Sequence, residues 1–159
     1  MLRIGLGKDI HRLSAGRPFL LGGLKIPFEK GETGHSDGDV LAHAITDALL
    51  GAGGIADIGE LFPPGDPEWK DANSLELLIS AWKKLTDNGW RLINLDCVVT
   101  CEQPKILPYR EKIRACLARA LETDVSSIFV KGKTAEGLGA IGRGEAVEAL
   151  AVCLLERTK

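Results

Sequence analysis

Positive charge is not in excess in this chain, and that absence removes one class of function at once. The 159 residues carry 20 Lys and Arg against 22 Asp and Glu, a formal net charge of -2 at pH 7. Non-specific nucleic-acid binding draws on a broad basic field, so any polyanionic ligand must be met locally. No apolar run approaches the length of a bilayer span. The opening stretch MLRIGLGKDIHRL reaches Lys8 and Asp9 before the core of a signal peptide could build. A cytoplasmic protein that engages neither nucleic acid nor membrane is expected. CxxC pairs are missing too: Cys97 and Cys101, if they share a strand, sit roughly 13 Å apart at about 3.3 Å per residue, beyond the reach of a disulfide or a shared metal. Cys97, Cys101, Cys116 and Cys153 are therefore expected as buried thiols. Repeats and low-complexity segments are also absent, and 45% hydrophobic with 26% charged residues suits one domain over 1–159 with a sizeable core.

What is present is legible as elements. Arg3 to Leu13 predicts a first strand, and PFLLGGLKIP, Pro18 to Pro27, a hairpin turning at Gly22-Gly23. A polar loop is expected over Glu29 to Gly34. Ser36, Asp37 and Asp39 offer caps for a helix over Val40 to Leu50, which the glycines after it end. Asn73 or Ser74 caps a second helix in which Leu75, Leu78, Ile79, Trp82 and Leu85 recur at helical spacing. Arg91 to Cys101 alternates as a strand, with Ile93, Leu95, Cys97, Val99 and Cys101 on its buried side. A third helix after Pro108 presents Ile113, Cys116, Leu117, Ala120 and Leu121, and strands over Ser127 to Thr134 and Glu145 to Arg157 flank a glycine-rich loop. The order predicts an α/β (α+β) fold, a single domain in which a mixed β-sheet carries helices packed on one face.

Three motif matches fail. Gly34 to Gly38, GHSDG, fits the nucleophile elbow in letters, but no histidine follows His43 to complete a triad. Gly132-Lys133-Thr134 imitates the end of a P-loop without its first glycine, and Gly5-x-Gly7 lacks the third glycine of a dinucleotide fingerprint.

One constellation survives. The chain has 3 histidines, and two of them fall in GHSDGDVLAHAITDALL, residues Gly34 to Leu50. Asp9 and His11, two apart on a strand, leave the same face and can converge on one cation. His43 adds a donor from another element; spacing alone leaves His35 as its rival. Two imidazoles and a carboxylate leave an open coordination position, as catalytic zinc sites do. Asp39 and Asp47, four residues either side of His43, could each orient its ring. Lys131 to Glu145, KGKTAEGLGAIGRGE, combines glycines, cations, Thr134 and Glu136 in the manner of an anion-binding loop. Together these features point to chemistry on a phosphate or diphosphate.

The segments resemble the 2-C-methyl-D-erythritol 2,4-cyclodiphosphate synthase family along the whole chain: GLGKDIHR at Gly5 to Arg12, HSDGD with AHAITDALLG to Gly51, DIGELFP at Asp57 to Pro63, QPKILP at Gln103 to Pro108, and TAEGLG with GRGE at Thr134 to Glu145. The resemblance implies a homotrimer with active sites between subunits, and the substrate 4-diphosphocytidyl-2-C-methyl-D-erythritol 2-phosphate. It implies that Asp9, His11 and His43 bind zinc, with Asp9 and His11 also meeting the substrate, and that Glu136 holds magnesium or manganese on the diphosphate. His35 and Ser36 would grip the phosphate end, with His35 and Thr134 as the catalytic pair. Asp57 and Gly59 would hold the erythritol hydroxyls, with Ile58, Phe62 and Asp66 in the same substrate-contacting stretch. Cys101, Pro104, Lys105, Ile106 and Leu107, with Gly132 and Lys133, would form the cytidine pocket, and Arg143 would serve an isoprenoid diphosphate in the axial cavity. Pro64, Lys133, Ala135 and Ala140 depart from the family's frequent residues. A metal-dependent phosphohydrolase and a non-catalytic trimer binding isoprenoid diphosphates are the rival readings.

Overall fold

Alternating apolar residues and paired glycines set the strands. The computed structural model describes residues 1–69 and 71–157. Its strands are β1 (Leu2–Ala15), β2 (Phe19–Leu21), β3 (Leu24–Ile26), β4 (Lys30–Thr33), β5 (Trp90–Thr100), β6 (Ile128–Lys133) and β7 (Ala146–Arg157). The helices are α1 (Val40–Gly53), α2 (Ile58–Leu61), α3 (Ser74–Asp87), α4 (Arg110–Ala120) and α5 (Gly139–Gly142). Five strands form a mixed sheet in the order β4-β1-β7-β5-β6, antiparallel throughout save for β5 beside β6. β2 and β3 form the expected hairpin, whose turn residues Gly22 and Gly23 both have positive φ. Among the described residues no helix is long and apolar enough to cross a membrane.

Helix α1 is the centre of the core. Asp39 caps it through a side-chain bond from the Ala42 N–H, and Gly54 closes it in the left-handed conformation. Leu41, Ile45 and Leu49 are fully buried, each contributing about 2 kcal/mol or more. Leu78, Trp82 and Leu85 of α3 join the same cluster, and the Trp82 indole N–H donates to the Leu121 carbonyl at 2.9 Å. Under the helix lies β1, and contact there is as close as backbone allows. A Cβ on Gly7 would stand 1.9 Å from the Ala44 carbonyl oxygen, and one on Gly5 would stand 1.8 Å from that of Ala48. Strand alternation then carries Asp9 and His11 up the same face of β1, beneath the first turns of α1.

Four details differ from the sequence reading. Lys30–Thr33 is a strand paired with the end of β1, not loop; buried Glu32 makes it so, accepting from the Leu20 N–H at 3.0 Å and the Val40 N–H at 3.3 Å. In β5 an irregularity between Leu92 and Asn94 shifts the alternation, so Trp90 and Leu92 are buried and Ile93 leaves the buried set. Cys116 is half-buried, unlike the other three thiols. The glycine-rich loop between β6 and β7 also contains a short helix, α5, that the sequence did not announce.

Glu32 yields a pH prediction. Burial, with the charge of Asp39 added, outweighs its two N–H bonds and pushes the carboxyl up to about 9, from an ordinary value of 4.5. Between those values the folded chain keeps a proton that the unfolded chain has lost, so this group's contribution to stability falls as pH rises. Glu32→Gln keeps the neutral shape, and its urea midpoint is expected to decline less than the parent's between pH 6 and pH 9.

The sheet face away from the helices is not covered. Ile4 is 74% exposed, Leu6 64% and Ile10 51%, with Phe129 and Val152 also exposed on that face. Apolar side chains gathered on one open sheet face, set among the Lys8–Glu148 and Lys131–Asp96 ion pairs, mark an interaction face.

Candidate active site

β1 and α1 bring three donor atoms together. Asp9 Oδ2 lies 3.0 Å from His11 Nε2 and 3.0 Å from His43 Nδ1, and the three donors lie within 4.8 Å of one another. The surroundings fix the orientation of both rings. His11 Nδ1 sits 2.6 Å from the Gly38 carbonyl, which only accepts, so Nδ1 carries a proton and Nε2 is the nitrogen presented to Asp9. His43 Nε2 lies 2.9 Å from both Ser36 Oγ and Ser74 Oγ. Ser74 Oγ donates in a short bond to Asp37 Oδ1, which leaves its oxygen free to accept from Nε2–H, while Nδ1 faces Asp9 at 3.0 Å. Asp39 and Asp47 therefore do not orient His43. Asp39 ties the hairpin to α1 through the Gly22 and Gly23 N–H groups, and Asp47 accepts from the Ile58 N–H.

The electrostatics match a divalent cation site. Burial works against ionised Asp9, yet hydrogen bonds and charge from His11 and His43 outweigh it and hold the carboxyl well below the usual range. Burial lowers His11, but Asp9 outweighs that and leaves its pKa raised. With the protons that face Asp9 displaced, two imidazole nitrogens and one carboxylate oxygen would form the donor set of a metal centre with an open position.

Two pockets accompany this cluster. One, of about 190 Å³, is lined by His11, His35, Ser36, His43, Ile58, Gly59 and Phe62, together with Pro64, Trp69 and Leu77. The other, of about 290 Å³, is lined by Cys101, Pro104, Lys105, Ile106, Leu107, Gly132, Lys133 and Thr134, and by Arg110. They share no lining residue, so His35 and Thr134 belong to different pockets of this chain. Asp57, Asp66, Glu136 and Arg143 line neither. Asp57 caps α2 through the Glu60 N–H, Asp66 accepts from the Glu68 N–H, and Arg143 is paired with Glu145 at 2.9 Å. Glu136 Oε1 accepts from Thr134 Oγ1 at 2.7 Å.

Sequence reasoning missed Ser74, Asp37 as its partner, and Arg110. Ser74 reads as an ordinary helix start, and nothing local points it at His43, 31 residues away. Arg110 had a weak signal, since it opens α4 three residues after Leu107; its guanidinium lies 5.0 Å over the Phe129 ring.

Comparison with known proteins follows the same lines. The model of the YgbB family matches residues 2–156. The 2-C-methyl-D-erythritol 2,4-cyclodiphosphate synthase of Treponema denticola is 58% identical over 154 residues, 97% of this chain and 96% of that one. The protein of the same name from Geobacillus kaustophilus is 51% identical over 99% of this chain and 100% of its own. Among solved structures, the bifunctional IspDF of Campylobacter jejuni matches with a TM-score of 0.96 and 42% identity, over all of this chain and 43% of that longer one. A CDP-bound form of 2C-methyl-D-erythritol-2,4-cyclodiphosphate synthase matches with a TM-score of 0.89 and 43% identity, over 97% of this chain and 100% of that one. With its Asp-His-His cluster, its two pockets and this full-length likeness, the chain belongs to the YgbB family, that of the 2-C-methyl-D-erythritol 2,4-cyclodiphosphate synthases.

Proposed function

We infer that the chain is a cytoplasmic lyase of isoprenoid biosynthesis that converts 4-diphosphocytidyl-2-C-methyl-D-erythritol 2-phosphate into the 2,4-cyclodiphosphate and CMP. The observation that carries this reading is the convergence of Asp9, His11 and His43 beside a pocket, in a chain so close to relatives named as synthases. That full-length identity speaks against the phosphohydrolase and the binding-only readings.

The reaction asks mainly for positioning. An oxygen of the substrate's 2-phosphate attacks the β-phosphorus, a new P–O bond forms, and the bond from the β-phosphorus to the bridging oxygen breaks as CMP leaves. The nucleophile is already anionic, so no general base is required. The protein must bend a flexible polyanion into line and stabilise spread negative charge. Lys105 and Lys133 neutralise phosphate charge at the nucleotide pocket, where Gly132 leaves room for the Ile106 side chain, and Cys101, Pro104, Ile106 and Leu107 wall the base. His35 and Ser36 hold the erythritol phosphate end, with Ile58, Gly59 and Phe62 lining the sugar side. Asp57 and Asp66 contribute polar contacts to the same end, and His35 and Thr134 steady the transition state. Zinc on Asp9, His11 and His43, and magnesium or manganese on Glu136, supply Lewis-acid stabilisation of the phosphoryl oxygens when bound.

Two halves of such a site in separate pockets call for a neighbour. A homotrimer that buries the Ile4, Leu6 and Ile10 face would set the His35 pocket of one subunit against the Thr134 pocket of the next. Arg143 would then reach an axial cavity able to take an isoprenoid diphosphate. Mass photometry at nanomolar concentration tests the trimer, and a monomer active at that concentration would overturn the shared site. For the chemistry, CMP release followed by chromatography is expected to stop on chelation and to return with zinc and magnesium. Release of inorganic phosphate in place of a cyclic product would contradict the reading.

A further inference from the structure

The segment Cys101-Glu102-Gln103-Pro104-Lys105 leaves β5 and walls the nucleotide pocket, yet Glu102 itself does not line that pocket. Its side chain turns across to the glycine-rich loop. Oε1 accepts from the Ala135 N–H at 2.8 Å and from the Gly137 N–H at 3.3 Å. Between those amides lies Glu136 with φ +53, and Gly137 follows with φ +75. Left-handed backbone is unfavourable for a residue with a side chain. Here it makes the flanking N–H groups converge on one point, a concavity that suits an anion, and the chain's own carboxylate fills it.

The turn so held displays Thr134 and Glu136, whose side chains are bonded to each other at 2.7 Å. Its other ties are the Glu136 N–H to Thr134 Oγ1 at 3.4 Å and two backbone bonds, the Cys101 N–H to the Lys133 carbonyl at 3.0 Å, just before it, and the Leu138 N–H to the Ala135 carbonyl at 2.9 Å. Among the side-chain bonds, those to Glu102 join the inside of the turn to the pocket wall. We propose that Glu102 is a positioning residue for the cyclisation, fixing the Thr134–Gly137 turn against the nucleotide pocket so that the Thr134 hydroxyl and the Glu136 carboxylate keep their aim at the diphosphate. It touches no substrate and acts through the turn. This role rests on the activity inferred above.

The test uses the full-length protein and the variants Glu102→Ala and Glu102→Gln. Amide exchange by NMR at Ala135 and Gly137 reads the turn directly, without turnover. Loss of a charge-assisted acceptor is expected to speed both amides at least about tenfold in Glu102→Ala, and to lower kcat by about ten- to a hundredfold. The Kd for CMP should stay within about threefold, a split that unfolding or damage to the pocket would not give. Glu102→Gln keeps an oxygen acceptor in place and should recover most of the kcat. Unchanged exchange at both amides, an unchanged kcat, a CMP Kd that worsens in step with kcat, or a Gln variant as impaired as the Ala variant would each overturn the proposal. If the parent protein makes no cyclic product, the inferred activity fails, and the exchange rates still decide whether Glu102 holds the turn.

Discussion

Replacing His43 by alanine is expected to lower turnover by roughly a thousandfold or more while leaving the protein folded. Its Nδ1 is one of three donors within 4.8 Å of one another, and the Lewis-acid stabilisation lost with the ion is worth several kcal/mol, at about 1.4 kcal/mol per tenfold. The side chain is half-buried at a pocket edge, so its removal opens no sealed cavity and the melting temperature should move little. Ser74→Ala should do less. It leaves all three donors and withdraws one of two hydroxyl partners of His43 Nε2, which predicts about a ten- to hundredfold loss of metal affinity. Metal analysis beside kcat measures both variants, and full metal content with parental kcat in His43→Ala would remove the cluster from the account.

Gly7→Ala is expected to cost at least about 3 kcal/mol, at the upper end for overpacking, because its new methyl meets backbone and not a movable side chain. The nearest atoms are the Ala44 carbonyl oxygen at 1.9 Å and the Ala48 amide nitrogen at 2.7 Å. Relief requires α1 to lift from β1, and that movement separates His43 from Asp9 and His11. Stability and metal affinity should therefore fall together, with a loss of roughly 6–12 °C in Tm for a chain of this length. Gly51→Ala is the contrast: no atom stands within 4 Å of its added Cβ, it is exposed within α1, and about 1 kcal/mol of stabilisation is expected. Urea unfolding with zinc titration reads both; a Gly7→Ala protein as stable as its parent would contradict the packing described here.

The same glycines show where the sequence is legible and where it is not. Local physics could be read directly: the Asn73 cap and the Leu-rich face of α3, the turn at Gly22-Gly23, and the shared strand face of Asp9 and His11. Gly5 and Gly7 looked only like small residues in a strand, since their reason is the approach of a helix some 40 residues later. Strand β4 was hidden because buried hydrogen bonds to Glu32, not an apolar pattern, hold it. Ile93 was misplaced because a single irregularity resets the alternation. At the site, spacing could not choose between His35 and His43. The fold turns His43 toward Asp9, while His35 is exposed at the rim of the neighbouring pocket. Ser74 and Glu102 act across long stretches of chain, so no local pattern announces them.

The most direct test is phosphorus NMR of the purified protein with 4-diphosphocytidyl-2-C-methyl-D-erythritol 2-phosphate, zinc and magnesium. The account predicts loss of the substrate's diphosphate and monophosphate signals, the rise of a cyclic diphosphate pair, and one CMP for each substrate consumed. Inorganic phosphate or a linear product, or an unchanged spectrum from metal-loaded protein, would contradict it.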